Sequence, residues 1–406
     1  MKNIIKNGLS LSFIKAVTLL FPIAIVPILI SKIGMDKYGE VVFITAIYSY
    51  FINVVSFGFE ESATQVLAKN HFSGLSKNEY ILSVIVLKGI IAVSIIFVIC
   101  GLYFLGMGGD FFSLLFCITI VAEVFNPLWF YQGVERIHII SVSSIVSKSL
   151  YTILICLFVR CNNDYYLVPV FLGGANILSY VYPFVAMCNE CKFRRNDLNY
   201  NNLKKVLLDS VSIFLTNFIP TLKDKIGAIL IGLSFSMNIV AIYDIIIKIL
   251  NLLFIPVNVI NASFYPTLSR KREKKTLMQL MYINLGYAIF AFVIVCNFFD
   301  YFSNIYFQSY SAYSDAVKII SVSVVFYSVS LMIGKNILLV TGFYHHVLLS
   351  IILSTGFYLM FVCFMYSLSS LSIYSLCFLT TASFLFEMLV RLIMLKKTKA
   401  LFFFKY

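Results

Sequence analysis

The sequence predicts an all-α polytopic membrane protein of about twelve transmembrane helices. Three observations predict it. The 406 residues are 61% apolar and only 12% charged, with a mean hydropathy of +0.94, against ~25% charged in soluble domains. Apolar stretches of ~20 residues, each able to cross ~30 Å of hydrocarbon as a helix, recur along the whole length. Lysine and arginine gather in alternate connections, as they do when loops face the two sides of a bilayer. A β-barrel is excluded by the same runs: AILIGLSF (228 to 235) is apolar on every side, where barrel strands alternate.

The elements follow in order. The span at 9–31 comes after a weakly basic start at Lys2 and Lys6, and no A-x-A site interrupts it, so it is read as a retained helix. The second, 41–66, carries Glu60 and Glu61 near its exit. Spans at 81–105 and 111–131 follow, the latter running into EVFNPLWFYQGVERIHI (123 to 139). There Pro127 breaks the helix, Trp129, Phe130 and Tyr131 read as an aromatic belt at headgroup level, and Gln132-Gly133 reads as the turn. The fifth and sixth spans are 139–159 and 166–188, closed by the polar loop 189–206. The seventh, 207–233, contains Pro220, and the eighth, 238–262, ends before the basic run RKREKK (270 to 275). The remaining four are 280–299, 314–340, 344–366 and 370–395.

The loop 189–206 marks a seam between 1–195 and 196–406, two halves of six spans each. Six spans per half makes them parallel repeats, and a shift of 202 residues lays MDKYGEVV (35 to 42) on MNIVAIYD (237 to 244). With both termini inside, the inner connections hold Lys69, Arg136, Arg194, Arg195, the run 270–275, Lys396, Lys397 and Lys399, while the outer ones hold only Lys32, Lys37 and Arg160. Cytoplasmic N- and C-termini follow, and much of the net charge of +13 is a topology signal. The run 270–275 suits anionic headgroups, not nucleic acid.

The nine cysteines fall mostly inside spans, and Cys188-x-x-Cys191 has no second pair to complete a zinc site, so neither metal nor cofactor is expected. Phosphate-cradling glycine loops, His-Glu-x-x-His helices and Gly-x-Ser-x-Gly elbows are missing, and no loop could house a soluble catalytic domain. An enzyme is not expected.

Charges inside the spans carry the function. An ionised group at bilayer centre costs at least ~2.5 kcal/mol, so each must face a polar cavity, pair, or snorkel. Lys15, Lys88, Lys148, Lys223, Lys225, Lys248 and Lys335 are the candidate substrate-binding cations. Glu60, Glu123, Asp224 and Asp244 are among the carboxylates that join them, and Glu123 with Asn126 at the proline break forms a candidate gate at the cavity mouth. Asp244 and Lys248, like Glu387 and Arg391, are four apart and can also pair along one helix. In IPTLKDKIGAIL (219 to 230), Lys223 and Lys225 point about 200° apart on a helix, so at least one faces a cavity. An excess of cations predicts an anionic substrate, and long ammonium stems suit phosphate.

The ordered set NGLSLSFIKAVTLLFPIAIVPILISKIGMDKYGEVVF, SFGFEESATQVLAKN, NPLWFYQGVERIHI, IPTLKDKIGAILIGL and FYPTLSR resembles the polysaccharide flippases of O-antigen and capsule pathways. These Wzx-type proteins lie within the multidrug/oligosaccharidyl-lipid/polysaccharide exporter superfamily. The resemblance implies two six-helix bundles around a central cleft. It implies translocation of an undecaprenyl-diphosphate-linked oligosaccharide across the bacterial inner membrane, with coupling to H+ or Na+ for which Glu60, Glu123, Asp224 and Asp244 are the candidate groups. Other polysaccharide-assembly membrane proteins are the implied partners, beside membrane lipids. The chain uses lysine where such flippases often use arginine, so phosphate attraction is kept and bidentate recognition is not. Two other readings compete: a multidrug or cation antiporter of the same fold, which would want an acidic cavity, and a membrane polysaccharide polymerase or ligase, which would want a large outer loop.

Overall fold

The computed structural model describes the backbone of residues 2–70, 72, 74–107, 109–191, 193–194, 197–306 and 313–404, with side chains at all of these except 2–20, 22–23 and 301–306. Eleven described stretches are helices long and apolar enough to cross a membrane. The first of them, Ala24–Lys69, contains a bend at Gly34, where φ 75 and ψ 166 interrupt helix α1 (Lys2–Ser56). The backbone on either side of Gly34 forms separate helices, which accounts for the expected twelfth. Positive φ is cheap for glycine and strained for residues with a Cβ.

Contacts gather the chain into two units, Met1–Lys225 and Ile226–Tyr406. The division falls inside a single helix, so the seventh span contributes to both. The first unit comprises α1, α2 (Phe59–Lys69), α3 (Lys77–Phe104), α4 (Phe111–Leu115), α5 (Cys117–Val124), α6 (Leu128–Gly133), α7 (Ile137–Phe158), α8 (Leu167–Cys191) and the first part of α9 (Tyr200–Ser234). Local chemistry sets its ends. Ser76 and Glu79 form a reciprocal capping box at the start of α3, with Ser76 N donating to Glu79 Oε2 at 2.6 Å and Glu79 N to Ser76 Oγ at 3.2 Å. At the far end of α7, Lys32 Nζ donates to the carbonyls of Cys156 (2.9 Å) and Val159 (2.6 Å), placing a cation on the negative pole of the helix.

The second unit holds the rest of α9, then α10 (Met237–Lys271), α11 (Lys274–Tyr306), α12 (Ser314–Ser321), α13 (Ser323–Leu331), α14 (Tyr344–Ser367) and α15 (Ile373–Thr398). Between α13 and α14, Met332–Leu339 winds as a π-helix, carrying Lys335 and Asn336. Wide turns of this kind recur at functional sites.

The aromatic triad at 129–131 corrects the sequence reading. Trp129, Phe130 and Tyr131 are 1%, 0% and 2% exposed and sit in the core of the first unit, not in a headgroup belt. The cause is the helix that follows the proline. Helix α6 is six residues long and packs on α2, where Gly133 lies flush against Leu67 and Thr64 Oγ1 donates to the carbonyl of Trp129 at 3.0 Å. Tyr131 Oη finds its partner in the carbonyl of Pro183 at 2.8 Å, as a buried tyrosine hydroxyl must. The turn falls at Glu135, with φ 59, two residues beyond Gln132-Gly133.

Candidate functional site

The break at Asn126-Pro127 builds the first polar centre. Proline cannot continue the amide ladder, so carbonyls at the break need partners from elsewhere. Helix α3 supplies one: Lys88 Nζ donates to Asn126 O at 3.4 Å and to Glu123 Oε1 at 2.8 Å. Asn126 Nδ2 donates to Glu123 Oε2 at 3.1 Å, and its Oδ1 accepts the Leu128 N–H at 3.2 Å, which starts α6. Lys88 is only 1% exposed. Three residues singled out in the sequence therefore meet, and the ammonium of Lys88 is spent on internal partners. Glu60 lies within electrostatic reach of both Glu123 and Lys88.

Two cavities in the first unit adjoin this centre. Glu123 lines one of about 150 Å³ together with Tyr48, Thr119, Asn176 and Tyr180. The second, of about 230 Å³, lies where the junction of α1 and α2 meets α9, and Glu60, Glu61 and Asn217 line it. Gly58 allows this approach. Its φ is +69, and a Cβ there would stand 2.6 Å from Phe214 N. Phe57 stacks on Phe214 (4.6 Å between centroids), which stacks in turn on Phe218 (5.1 Å). Asn217 Nδ2 donates to Glu61 Oε2 at 2.5 Å, and the Thr64 hydroxyl donates to the backbone carbonyl of Glu60.

The other candidate cations differ in their surroundings. Lys148 of α7 and Lys225 of α9 are half-buried, and neither makes a hydrogen bond or ion pair with a described residue. Asp224 lies in the field of both Lys223 and Lys225. The side chain of Lys15 lies outside the described residues.

In the second unit, Lys248 and Asp244 pair along α10 at 2.5 Å. Lys335 stands 5.9 Å from the centre of the Tyr265 ring, within cation–π range. Arg391 and Glu387 form a buried ion pair at 2.7 Å on α15, completed from α13 and α14. Arg391 donates to Ser330 O (2.8 Å) and to Ser350 Oγ (3.0 Å), and Ser330 Oγ donates to Glu387 Oε1 (3.1 Å). Gly334 admits the guanidinium, since a Cβ there would stand 2.8 Å from its Cζ. Three amides make another buried chain: Asn336 Nδ2 donates to Asn261 Oδ1 at 2.6 Å, and Asn261 Nδ2 to Asn284 Oδ1 at 3.2 Å.

Counting formal charges inside spans does not reveal Asn176, Asn217, Asn261, Asn284, Asn336 or Tyr180. Their signal was present as amides and a hydroxyl within apolar runs, groups that lipid also rejects. Among the described residues no cluster of histidine, cysteine or carboxylate side chains could hold a metal ion.

Apolar helices of spanning length, ion pairs buried among them and polar cavities define a multi-pass membrane protein built around charged interior sites. The chain belongs to the family described as "Polysaccharide biosynthesis protein", whose pattern matches residues 4–272. It is 23% identical over 267 residues to the "Putative O-antigen transporter" of Escherichia coli (strain K12), covering 65% of this chain and 64% of that relative's length. In fold it is similar to an inward-facing multidrug resistance MATE family transporter of the MOP superfamily, with a TM-score of 0.70, 15% identity and 95% of each chain covered. It is likewise similar to the lipid II flippase MurJ in an inward closed conformation, with a TM-score of 0.70, 13% identity, and 98% and 89% covered. A MOP superfamily transporter from Pyrococcus furiosus superposes with a TM-score of 0.62 at 16% identity over 98% and 96%. At these identities the likeness is one of fold.

Proposed function

We propose that the protein is a flippase that moves undecaprenyl-diphosphate-linked oligosaccharide repeat units from the inner to the outer leaflet of the bacterial inner membrane by alternating access, with both termini cytoplasmic. One observation carries the reading: Lys148 and Lys225 keep ammonium groups inside apolar helices with no partner among the described residues. An unpaired intramembrane charge costs at least ~2.5 kcal/mol with no internal return, and an anionic diphosphate supplies the missing partner. Lys15, Lys223 and Lys335 add to the same attraction. Lys88 and Lys248 act through their carboxylates, Glu123 and Asp244. Glu60, Glu123, Asp224 and Asp244 are the groups through which H+ or Na+ would drive the cycle, with Asn126 positioning Glu123. The likeness to an O-antigen transporter of Escherichia coli and to the lipid II flippase MurJ supports the substrate class. Lipid-linked glycan, membrane lipids and other polysaccharide-assembly membrane proteins are the partners this role requires. A cation antiporter of the same fold would meet repulsion from the ammonium groups of Lys148 and Lys225 along its substrate's path.

Complementation tests this. In a strain lacking its own flippase and supplied with defined lipid-linked repeat units, the protein should restore surface glycan for at least one of them. Restored export of cationic dyes, with no glycan from any repeat unit, would contradict the reading.

A further inference from the structure

The 230 Å³ cavity between the α1–α2 junction and α9 has an unusual inventory of polar atoms. Glu60 offers a carboxylate that accepts no hydrogen bond from a described residue. Glu61 takes one bond from Asn217. Asn53 has spent one N–H on the carbonyl of Ser49, at 2.9 Å, and Thr221 its hydroxyl proton on that of Asn217, at 3.0 Å. What remains is acceptors in excess, from two carboxylates, two amide oxygens and the hydroxyls of Ser56 and Thr221, with one N–H left on each amide and the hydroxyl proton of Ser56. An occupant must therefore serve many acceptors, accept a few hydrogen bonds, and carry no negative charge. Phosphate and carboxylate fail the last condition. An ammonium group or a bare cation serves the acceptors but cannot accept, which would leave both amide N–H groups and the Ser56 hydroxyl proton unmet. A ring of hydroxyls does both.

We infer that this cavity is a sugar subsite, taking one uncharged monosaccharide ring of the lipid-linked glycan with its hydroxyls on Glu60, Glu61, Asn53 and Asn217 and its apolar edge toward Phe218. The inference rests on the flippase reading, because of the three parts of that substrate only the glycan is rich in donors. The size fits one ring: the cavity is smaller than the ~300–1,000 Å³ of drug-sized sites. The subsite also sets specificity, since two carboxylates at the rim turn away sugars that carry their own.

Binding to the purified full-length protein in nanodiscs tests it with three probes: undecaprenyl diphosphate, the same lipid bearing N-acetylglucosamine, and the same lipid bearing glucuronic acid. The neutral sugar should tighten binding over the bare lipid by about tenfold, and glucuronate should not. Glu61→Ala and Asn217→Ala should each remove that advantage while leaving affinity for the bare lipid unchanged. Neither residue is in the buried core, so thermal melts should match wild type. An advantage that survives both variants, or that glucuronate shares, overturns the subsite and leaves the flippase reading standing. Wild-type protein that binds none of the three lipids overturns both.

Discussion

Glu123→Ala should lower stability by about 3–5 kcal/mol, because it strands the ammonium of Lys88 in the core of the first unit. Lys88 is 1% exposed, and its other hydrogen bond among the described residues is to the Asn126 carbonyl at 3.4 Å. The variant also frees Asn126 Nδ2, which donates to Glu123 Oε2. The break that leads into α6 then loses a brace, and Trp129, Phe130 and Tyr131 sit directly behind it. Thermal melts of detergent-purified protein and the yield of folded protein report the loss. Replacing both partners, as Lys88→Met with Glu123→Leu, should recover most of it, since a pair swapped for apolar groups of similar volume costs little. A double variant as unstable as Glu123→Ala would show that the amide contacts, not the stranded charge, hold this region together.

The second large effect is on transport. Charge removal at Lys225 or Lys335, as Lys→Gln, should cut delivery of surface glycan by roughly tenfold to a hundredfold, the range expected for losing a charge-assisted contact to phosphate. Protein level in the membrane should stay at wild type, because Lys225 makes no hydrogen bond or ion pair with a described residue whose loss would loosen the fold. Lys15→Gln should behave alike. Lysine-to-arginine exchanges should keep part of the activity, since charge is retained while the shape of the contact changes. Wild-type glycan from all three charge-removed variants would misplace the cations in this account.

The spanning helices were legible because each is a predominantly apolar run, and hydrocarbon thickness sets its length. Pairing between Asp244 and Lys248, and between Glu387 and Arg391, was legible because helical spacing of four places both ends on one face. Contacts across helices were not. Lys88 and Glu123 are 35 apart in sequence, and only the packing of α3 on α5 joins them. Trp129 misled for the same reason: an aromatic triad after a proline has the composition of an interfacial belt, and its burial depends on how α6 lies on α2. The π-helix at Met332–Leu339 left no mark in the hydropathy pattern, although Gly334 within it lies against Arg391 and Asn336 bonds to Asn261. Amides inside spans were visible and informative, and a count of formal charges passes over them.

Reconstitution tests the central claim most directly. Purified protein in liposomes, with undecaprenyl-diphosphate-linked oligosaccharide in both leaflets, would be followed by enzymatic modification of the outward-exposed sugar alone. Flippase activity predicts that the protected inner fraction becomes reachable at a rate that rises with protein content and falls in Lys225→Gln and Lys335→Gln. A protected fraction as stable with the protein as in empty liposomes, under imposed proton and sodium gradients alike, would contradict it.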